Sequence, residues 1–305
     1  MSALARVRSQ VFTQLWQEYR ARVALVPAIE DVLRGQGEPW IEDHIAFRTL
    51  PGAACGAGVL QRLFELLGYV RREDLYFEDK QLQAFWMEPP HEAAVYTMLP
   101  KIFVSELIPA RFSADFQATL AKYTDSLSAT PLARMEHLQL QTRAGDLKAG
   151  EQLAAEILGY LAGRPWQRPT FADYQRLLQQ SEYAAWTLAF GNRVNHFTVS
   201  VHLMRRFPSL QAFNKFLTEH LQVPMNLSGG LIKGTPQSGL EQSSTRATGM
   251  AVLFQEGYQE LPYAYVEFAF RHPLPGQQAD GQWTSYYQGF VVGNADRIFD
   301  STNVR

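Results

Sequence analysis

The sequence predicts an α+β fold in which two β-α-β-β-β units flank a helical insert, behind an N-terminal helix. Three observations predict it. Two β-like runs each open with a histidine, HIAFRTL at residues 44–50 and NHFTVSVH at 195–202. Each run is followed by an amphipathic helical segment, VLQRLFELLGY (59–69) and FPSLQAFNKFLTEHL (207–221), and then by further β-like runs. Between the two copies, from about residue 112 to 190, the apolar residues recur at helical spacing. Sequence identity between the halves is low, so the duplication rests on the order of the elements.

Residues 1–38 read as an N-terminal helical segment. Val7, Val11, Leu15, Trp16, Tyr19 and Val23 recur at helical spacing, and this stripe favours a helix packed on the domain over an arginine-rich transit peptide. Residues 39–110 form the first β-rich module. Its opening strand is closed by Pro51 and Gly52, its helix carries Leu60, Leu63, Phe64 and Leu67 on one side, and LQAFWMEP (82–89) and PKIFVSELIP (100–109) supply strands. Residues 111–192 are the insert, with FSADFQATLAKYTDSL, LKAGEQLAAEILGYLAG and TFADYQRLLQQSEYAAWTLAF each helical, the last capped by Thr170. Residues 193–305 form the second module. Ser209 is a candidate cap for its helix, 229–245 is a Gly/Ser-rich strand-and-turn region, and TGMAVLFQE, LPYAYVEFAFRHP and SYYQGFVV (285–292) are strands. The strands of the two units run to Glu106 and Glu267.

The 305 residues are 46% hydrophobic and carry 19 Phe, 13 Tyr and 6 Trp, which excludes a disordered chain and fills a substantial core. With 28 basic and 30 acidic side chains there is neither a basic excess nor a basic stripe, so no nucleic-acid partner is expected. No run approaches the ~20 apolar residues that span a bilayer. The lone Cys55 excludes an internal disulfide framework, fits a cytoplasmic protein, and reads as an inert small residue. Phosphate-binding, dinucleotide-binding, nucleophile-elbow and H-E-x-x-H motifs are all absent. Nothing in the sequence specifies an oligomeric state.

The residues with chemistry in them lie on the strands. Alternation puts His44, Ala46 and Arg48 on one face, and Tyr263, Tyr265, Glu267, Ala269 and Arg271 on one face of a later strand. A glutamate inside YAYVEFAF is costly to bury without a cation or hydrogen-bond partner. His44, His196 and Glu267, on three strands, match the facial two-histidine, one-carboxylate set that binds Fe(II) and leaves positions open. Against this stand two simpler readings: strand histidines hydrogen-bonded in a core, and Glu267 paired with Arg48 or Arg271. His202 shares a face with His196 and is a rival ligand, though ~20 Å along the strand. His91, His137, His220 and His272 read as surface residues. Arg48, ~13 Å along the strand from His44, can lean back to grip an organic carboxylate, or form a structural salt bridge. Lys233, in the LIKGTP turn, adds a second positive group or is a solvated loop lysine.

HIAFRTL, NRVNHFTV around His196, LIKGTP with the downstream EQSST, AYVEFAFR around Glu267 and the closing GNADRIFDST together resemble the 2-oxoadipate dioxygenase/decarboxylase family, over about residues 10–300. That family is similar to a branch of the vicinal oxygen chelate superfold, whose modules fit a curved central sheet around a metal. The resemblance implies one catalytic domain over residues 1–305, a mononuclear Fe(II) held by His44, His196 and Glu267, and Arg48 on a substrate carboxylate. It implies a small 2-oxo dicarboxylic acid and O2 as partners, with 2-oxoadipate converted to 2-hydroxyglutarate and CO2 in lysine breakdown. Some relatives are longer, and a C-terminal extension that touches substrate in them is expected to be missing here, which bears on chain-length preference. Two other readings use the same three ligands: a zinc-dependent hydrolase or isomerase of a small organic acid, and a non-catalytic protein that binds organic acids.

Overall fold

The two histidine-led strands lie side by side at the centre of the molecule. A computed structural model describes residues 2–90, 99–127, 130–277 and 285–303. The first unit comprises β1 (Glu42–Thr49), α3 (Ala57–Leu66), β2 (Val70–Phe77), β3 (Leu82–Glu88) and β4 (Lys101–Leu107). The second comprises β5 (Val194–Ser200), α9 (Leu210–His220), β6 (Lys233–Thr235), β7 (Leu240–Ser244) and β9 (Gly257–Arg271), with β8 (Thr248–Phe254) as an added strand on the first half of β9. Strand order is β2-β3-β4-β1-β5-β9-β7-β6. It reads the same from either edge. Two antiparallel outer strands lead to a parallel pair, β4 with β1 and β9 with β5, and the units meet at the antiparallel β1–β5 seam.

Helices α1 (Ala3–Arg22) and α2 (Leu25–Gly35) precede the sheet, and α4 (Ala114–Thr124), α5 (Leu132–Arg143), α6 (Leu147–Leu161), α7 (Phe171–Leu178) and α8 (Glu182–Phe190) form the insert. Ser2, Thr170 and Ser209 cap α1, α7 and α9 by accepting the backbone N–H three residues on. Among the described residues, no helix is long and apolar enough to cross a membrane.

Strand alternation then divides the labour. Phe47, Phe197 and Phe268 face the back of the curled sheet, where Phe64 of α3, Tyr19 of α1 and Phe213 of α9 meet them at 5.3, 4.9 and 4.9 Å between ring centroids. The residues between them, His44, His196 and Glu267, therefore face the concave side. That side is covered by α8 and by a C-terminal segment, α10 (Val292–Ile298) with the 3-10 turn Phe299–Thr302.

Three expectations are corrected. The strand expected at 285–292 is absent: Tyr286 makes one isolated bridge to Pro273, and the chain is otherwise irregular up to α10. Its carbonyls at Tyr287 and Gly289 both accept from Arg271 Nη1, at 2.9 Å each, and so are turned away from any ladder. The helix read over 170–190 is two helices. Ser181 accepts from Ala184 N and starts a new phase, because α7 is amphipathic whereas α8 is buried on nearly every side. The strand β2 went unread because VRREDLYF, at the sheet edge, points charge outward, Arg72 pairing with Glu88.

Glu106 is not the counterpart of Glu267. It lies on the opposite face, accepting from Ala57 N (2.6 Å) at the start of α3 and from Gln83 Nε2 (2.9 Å). Replacing it with alanine is expected to lower the unfolding free energy by about 1–2 kcal/mol in denaturant titration. A loss below about 0.5 kcal/mol would mean that packing alone holds α3.

Candidate metal centre

Both central histidines are delivered by the same device. At the β1–β5 seam the register slips once on each strand, so that Asp43 and Asn195 are extra residues without a partner opposite. Each bulged residue immediately precedes a histidine. The Nδ1–H of His44 donates to Asp43 Oδ1 and that of His196 to Asn195 Oδ1, both at 2.9 Å. With Nδ1 committed, the Nε2 lone pairs face the shared space and can coordinate, that of His44 in exchange for the Thr198 hydroxyl, and the rings are fixed in orientation. Asp43 is itself clamped by Arg271 through Nε–Oδ2 (2.7 Å) and Nη2–Oδ1 (2.8 Å). Burial alone would raise the Asp43 carboxyl, yet Arg271, with the His44 ring and Lys101, holds it well below the usual carboxylate range.

Glu267 completes the set from β9. Its Oε1 lies 3.6 Å from His44 Nε2 and its Oε2 3.2 Å from His196 Nε2, and ligand atoms of all three fall within 4.8 Å of one another. Ligands ~2.1 Å from one metal and at right angles to each other lie ~3.0 Å apart, so this donor set fits a single ion. The carboxylate is 1% exposed. Burial alone would raise its pKa, but the imidazoles of His44 and His196 and the amide of Gln242 hold it below the ordinary value. Burial pushes His196 down against the pull of Glu267, which favours the neutral, ligating form. Gln242 Nε2 donates to Glu267 Oε1 (2.6 Å) and is oriented by Asn294 Nδ2, which donates to Gln242 Oε1 (3.1 Å). Gly234 makes room for this: at φ +88° its Cβ would stand 2.4 Å from Asn294 Nδ2.

The duplication shows why there are three protein ligands. His196 pairs in register with Tyr265 and His44 with Lys101, so the position equivalent to Glu267 in the first unit is Phe103. Phe103 lines the pocket and packs on Phe290 at 5.1 Å. A phenyl ring thus stands where symmetry would put a second carboxylate, and that side of the ion is left to other ligands. Thr198 Oγ1, 3.0 Å from His44 Nε2, borders the same space.

Arg48 lines the pocket and is 1% exposed. Its guanidinium lies 5.0–5.4 Å from the ring centroids of Trp186, Tyr183 and Phe299, and Nη2 donates to Thr302 Oγ1 (3.1 Å). Nη1 has only the Glu182 carboxylate at 3.5 Å, and neither Nε nor Nη1 has a hydrogen-bond partner among the described residues. So Glu267 pairs with neither arginine: Arg271 serves Asp43, and Arg48 points into the pocket.

The remaining candidates are placed elsewhere. Lys233 is buried rather than solvated and does not line the pocket. Its Nζ donates to the Asn226 carbonyl (2.8 Å), and burial pushes its pKa down to about 8. His202 lies in a 3-10 turn, outside the three-ligand cluster, against Tyr286 and Phe270. His137 and His220 are exposed, His272 pairs with Glu241, and His91 lies outside the described residues. Burial pushes the Cys55 thiol up to about 12, consistent with an inert residue. Sequence reasoning missed Asp43, Asn195, Gln242 and Asn294. One signal was available: each ligating histidine follows an Asp or Asn, in DHIAF and NHFTV.

Fold and site together define a protein built of paired β-α-β-β-β units around a donor set that fits a metal ion. In keeping with this, a putative glyoxalase superfamily protein from Ralstonia eutropha JMP134 superposes with a TM-score of 0.78 at 23% identity, over 96% of this chain and 88% of that one. Residues 11–283 match the 2-oxoadipate dioxygenase/decarboxylase family, and the chain belongs to that family. It is 34% identical to the chloroplastic/amyloplastic 2-oxoadipate dioxygenase/decarboxylase of Oryza sativa subsp. japonica, over 96% of this chain and 78% of the relative. It is also similar to the crystal structure of hydroxyglutarate synthase from Oryza sativa in complex with 2-oxoadipate, with a TM-score of 0.81 and 32% identity, over 99% of this chain and 93% of that one.

Glu267→Gln is expected to abolish metal retention through gel filtration, and full retention would assign the carboxylate ligand elsewhere. Asp43→Ala is expected to weaken metal affinity about 10- to 100-fold in a chelator competition, because it removes the acceptor that fixes His44. Wild-type affinity in that variant would show that the ring is held by packing.

Proposed function

We propose that this protein is an Fe(II)-dependent dioxygenase that decarboxylates a 2-oxo dicarboxylic acid, with 2-oxoadipate and O2 as substrates and 2-hydroxyglutarate and CO2 as products. The reaction balances: the six-carbon acid loses its first carbon as CO2, and the two atoms of O2 end in the new carboxylate and the new hydroxyl of the five-carbon product. The observation that carries the reading is the pairing, in one buried pocket, of a two-histidine, one-carboxylate set with a guanidinium two of whose nitrogens, Nε and Nη1, lack hydrogen-bond acceptors. The first fits a metal with open positions; the second fits an organic anion. The relatives' names point to the same acid.

His44, His196 and Glu267 would hold the Fe(II), which when bound would supply open coordination positions and the redox chemistry that lets O2 oxidise the 2-oxo acid. The chain does the rest. Asp43, Asn195 and Gln242 keep the three ligands in one geometry, and Phe103 withholds a fourth. Arg48 takes a carboxylate of the substrate, and its cradle of Tyr183, Trp186 and Phe299 keeps water from competing for it. Phe103, Phe290, Ile298 and Phe299 make the walls apolar, so reactive species meet substrate rather than solvent. The free space in the pocket is about 20 Å³, room for about one water. A six-carbon acid therefore enters only as a wall gives way, and Ala295, Ile298 and Phe299 all belong to the one C-terminal segment.

Iron-loaded protein, prepared without oxygen, is expected to consume O2 on addition of 2-oxoadipate and to release CO2 in equal amount. No uptake with any C5–C7 2-oxo acid would overturn the reading. Arg48→Ala is expected to raise KM about 10- to 100-fold, the worth of a hydrogen-bonded charge pair, with metal content unchanged. Loss of metal with KM preserved would make Arg48 a structural residue.

A further inference from the structure

The pocket contains a buried donor that the metal site does not use. Tyr265 is fully buried, lines the pocket, and stacks on the His196 ring at 4.6 Å and 27°. Its backbone carbonyl accepts from Tyr19, but its own hydroxyl has no hydrogen-bond partner among the described residues. Leaving a buried hydroxyl unmatched costs about 1–3 kcal/mol, and a phenylalanine would fill the same space without that cost. The position calls for a ligand that accepts the bond.

Strand register says where that ligand would lie. Glu267, Thr198 and His44 stand at one level of the three central strands, and Tyr265, His196 and Ala46 at the next. Arg48 lies two residues beyond Ala46 on the same face, so along the strands Tyr265 stands level with His196, between the level of His44 and Glu267 and that of Arg48. Tyr265 and Arg48 line the same pocket. Arg48 Nε and Nη1 lack acceptors too. Three donors without hydrogen-bond acceptors, on two side chains, thus belong to the lining of one pocket.

We propose that Tyr265 and Arg48 form an anion subsite for the carboxylate far from the metal, and that Tyr265 is a specificity-determining residue selecting dicarboxylic over monocarboxylic 2-oxo acids. The subsite rests on the function proposed above, because it takes the near end of the acid to be held at His44, His196 and Glu267. An acid bound at both ends spans from the ion past Tyr265 to Arg48. A chain ending in a methyl group would leave the hydroxyl and both guanidinium nitrogens unmatched.

The test measures binding, without turnover. Metal-loaded protein kept free of oxygen is titrated calorimetrically with 2-oxoadipate and with 2-oxohexanoate, which has a methyl group in place of the far carboxylate. Wild type is expected to bind 2-oxoadipate at least tenfold more tightly, and Tyr265→Phe to lower that ratio about tenfold. An unchanged ratio in Tyr265→Phe, or an equal loss for both acids, would overturn the proposal. So would a wild-type protein that shows no preference, a result that does not depend on the variant folding. Oxygen uptake by wild type, followed separately, tests the dioxygenase reading: a dicarboxylate preference lost in Tyr265→Phe but without oxygen uptake would overturn that reading and leave the subsite standing.

Discussion

A carboxylate buried between two imidazoles organises this molecule. Glu267 sits inside the run YAYVEFAF, whose other residues are aromatic or aliphatic, and removing its charge from water costs several kcal/mol unless partners face it. The fold supplies those partners from three directions. His44 comes from the first unit, His196 from the second, and Gln242 from the neighbouring strand. Neither unit holds the site by itself, because the two histidines meet only across the β1–β5 seam. Function therefore depends on the packing that joins the units. The aromatic layer of Phe47, Phe197 and Phe268 on the back of the sheet fixes that seam.

The two units use the same local solution and then diverge. Each bulges its central strand one residue before the histidine and uses that residue to hold Nδ1. In the first unit it is Asp43, anchored by Arg271 to the carbonyls of Tyr287 and Gly289; in the second it is the neutral Asn195. At the next equivalent position, Glu267 on one side faces Phe103 on the other. A duplicated fold with four symmetric ligands would close the ion off. This asymmetry leaves three protein ligands, and Phe103, Arg48 and Tyr265 line the pocket around them.

Much of this was legible in the sequence, and the parts that were not share a cause. Period-two alternation identified the face of His44 and Arg48 and the face of Glu267, because a strand's side chains have only two directions to point. The order of strands and helices identified the paired units. Register could not be read: the equivalence of Glu267 with Phe103, rather than Glu106, follows from which residues pair across β4 and β9. The bulges escaped notice because an extra residue leaves no trace in composition. Lys233 was misplaced because a lysine beside Gly and Thr reads as an exposed turn. In fact β6 is pinned under α10, with Gly234 against Asn294, and the ammonium is buried on a carbonyl. The irregular stretch after residue 285 looked like a strand because of its aromatic residues, of which Phe290 lines the pocket and Tyr286 packs on His202.

The central claim is that this seam holds a metal at which a 2-oxo acid and O2 react with each other. Turnover of 2-oxoadipate under 18O2, followed by mass spectrometry of the products, tests it most directly. The account predicts one labelled oxygen in the new hydroxyl of 2-hydroxyglutarate and one in its new carboxylate, with CO2 drawn from the original carboxyl and unlabelled. Absence of label from both the new carboxylate and the new hydroxyl would contradict it, because O2 would then not be the source of either oxygen.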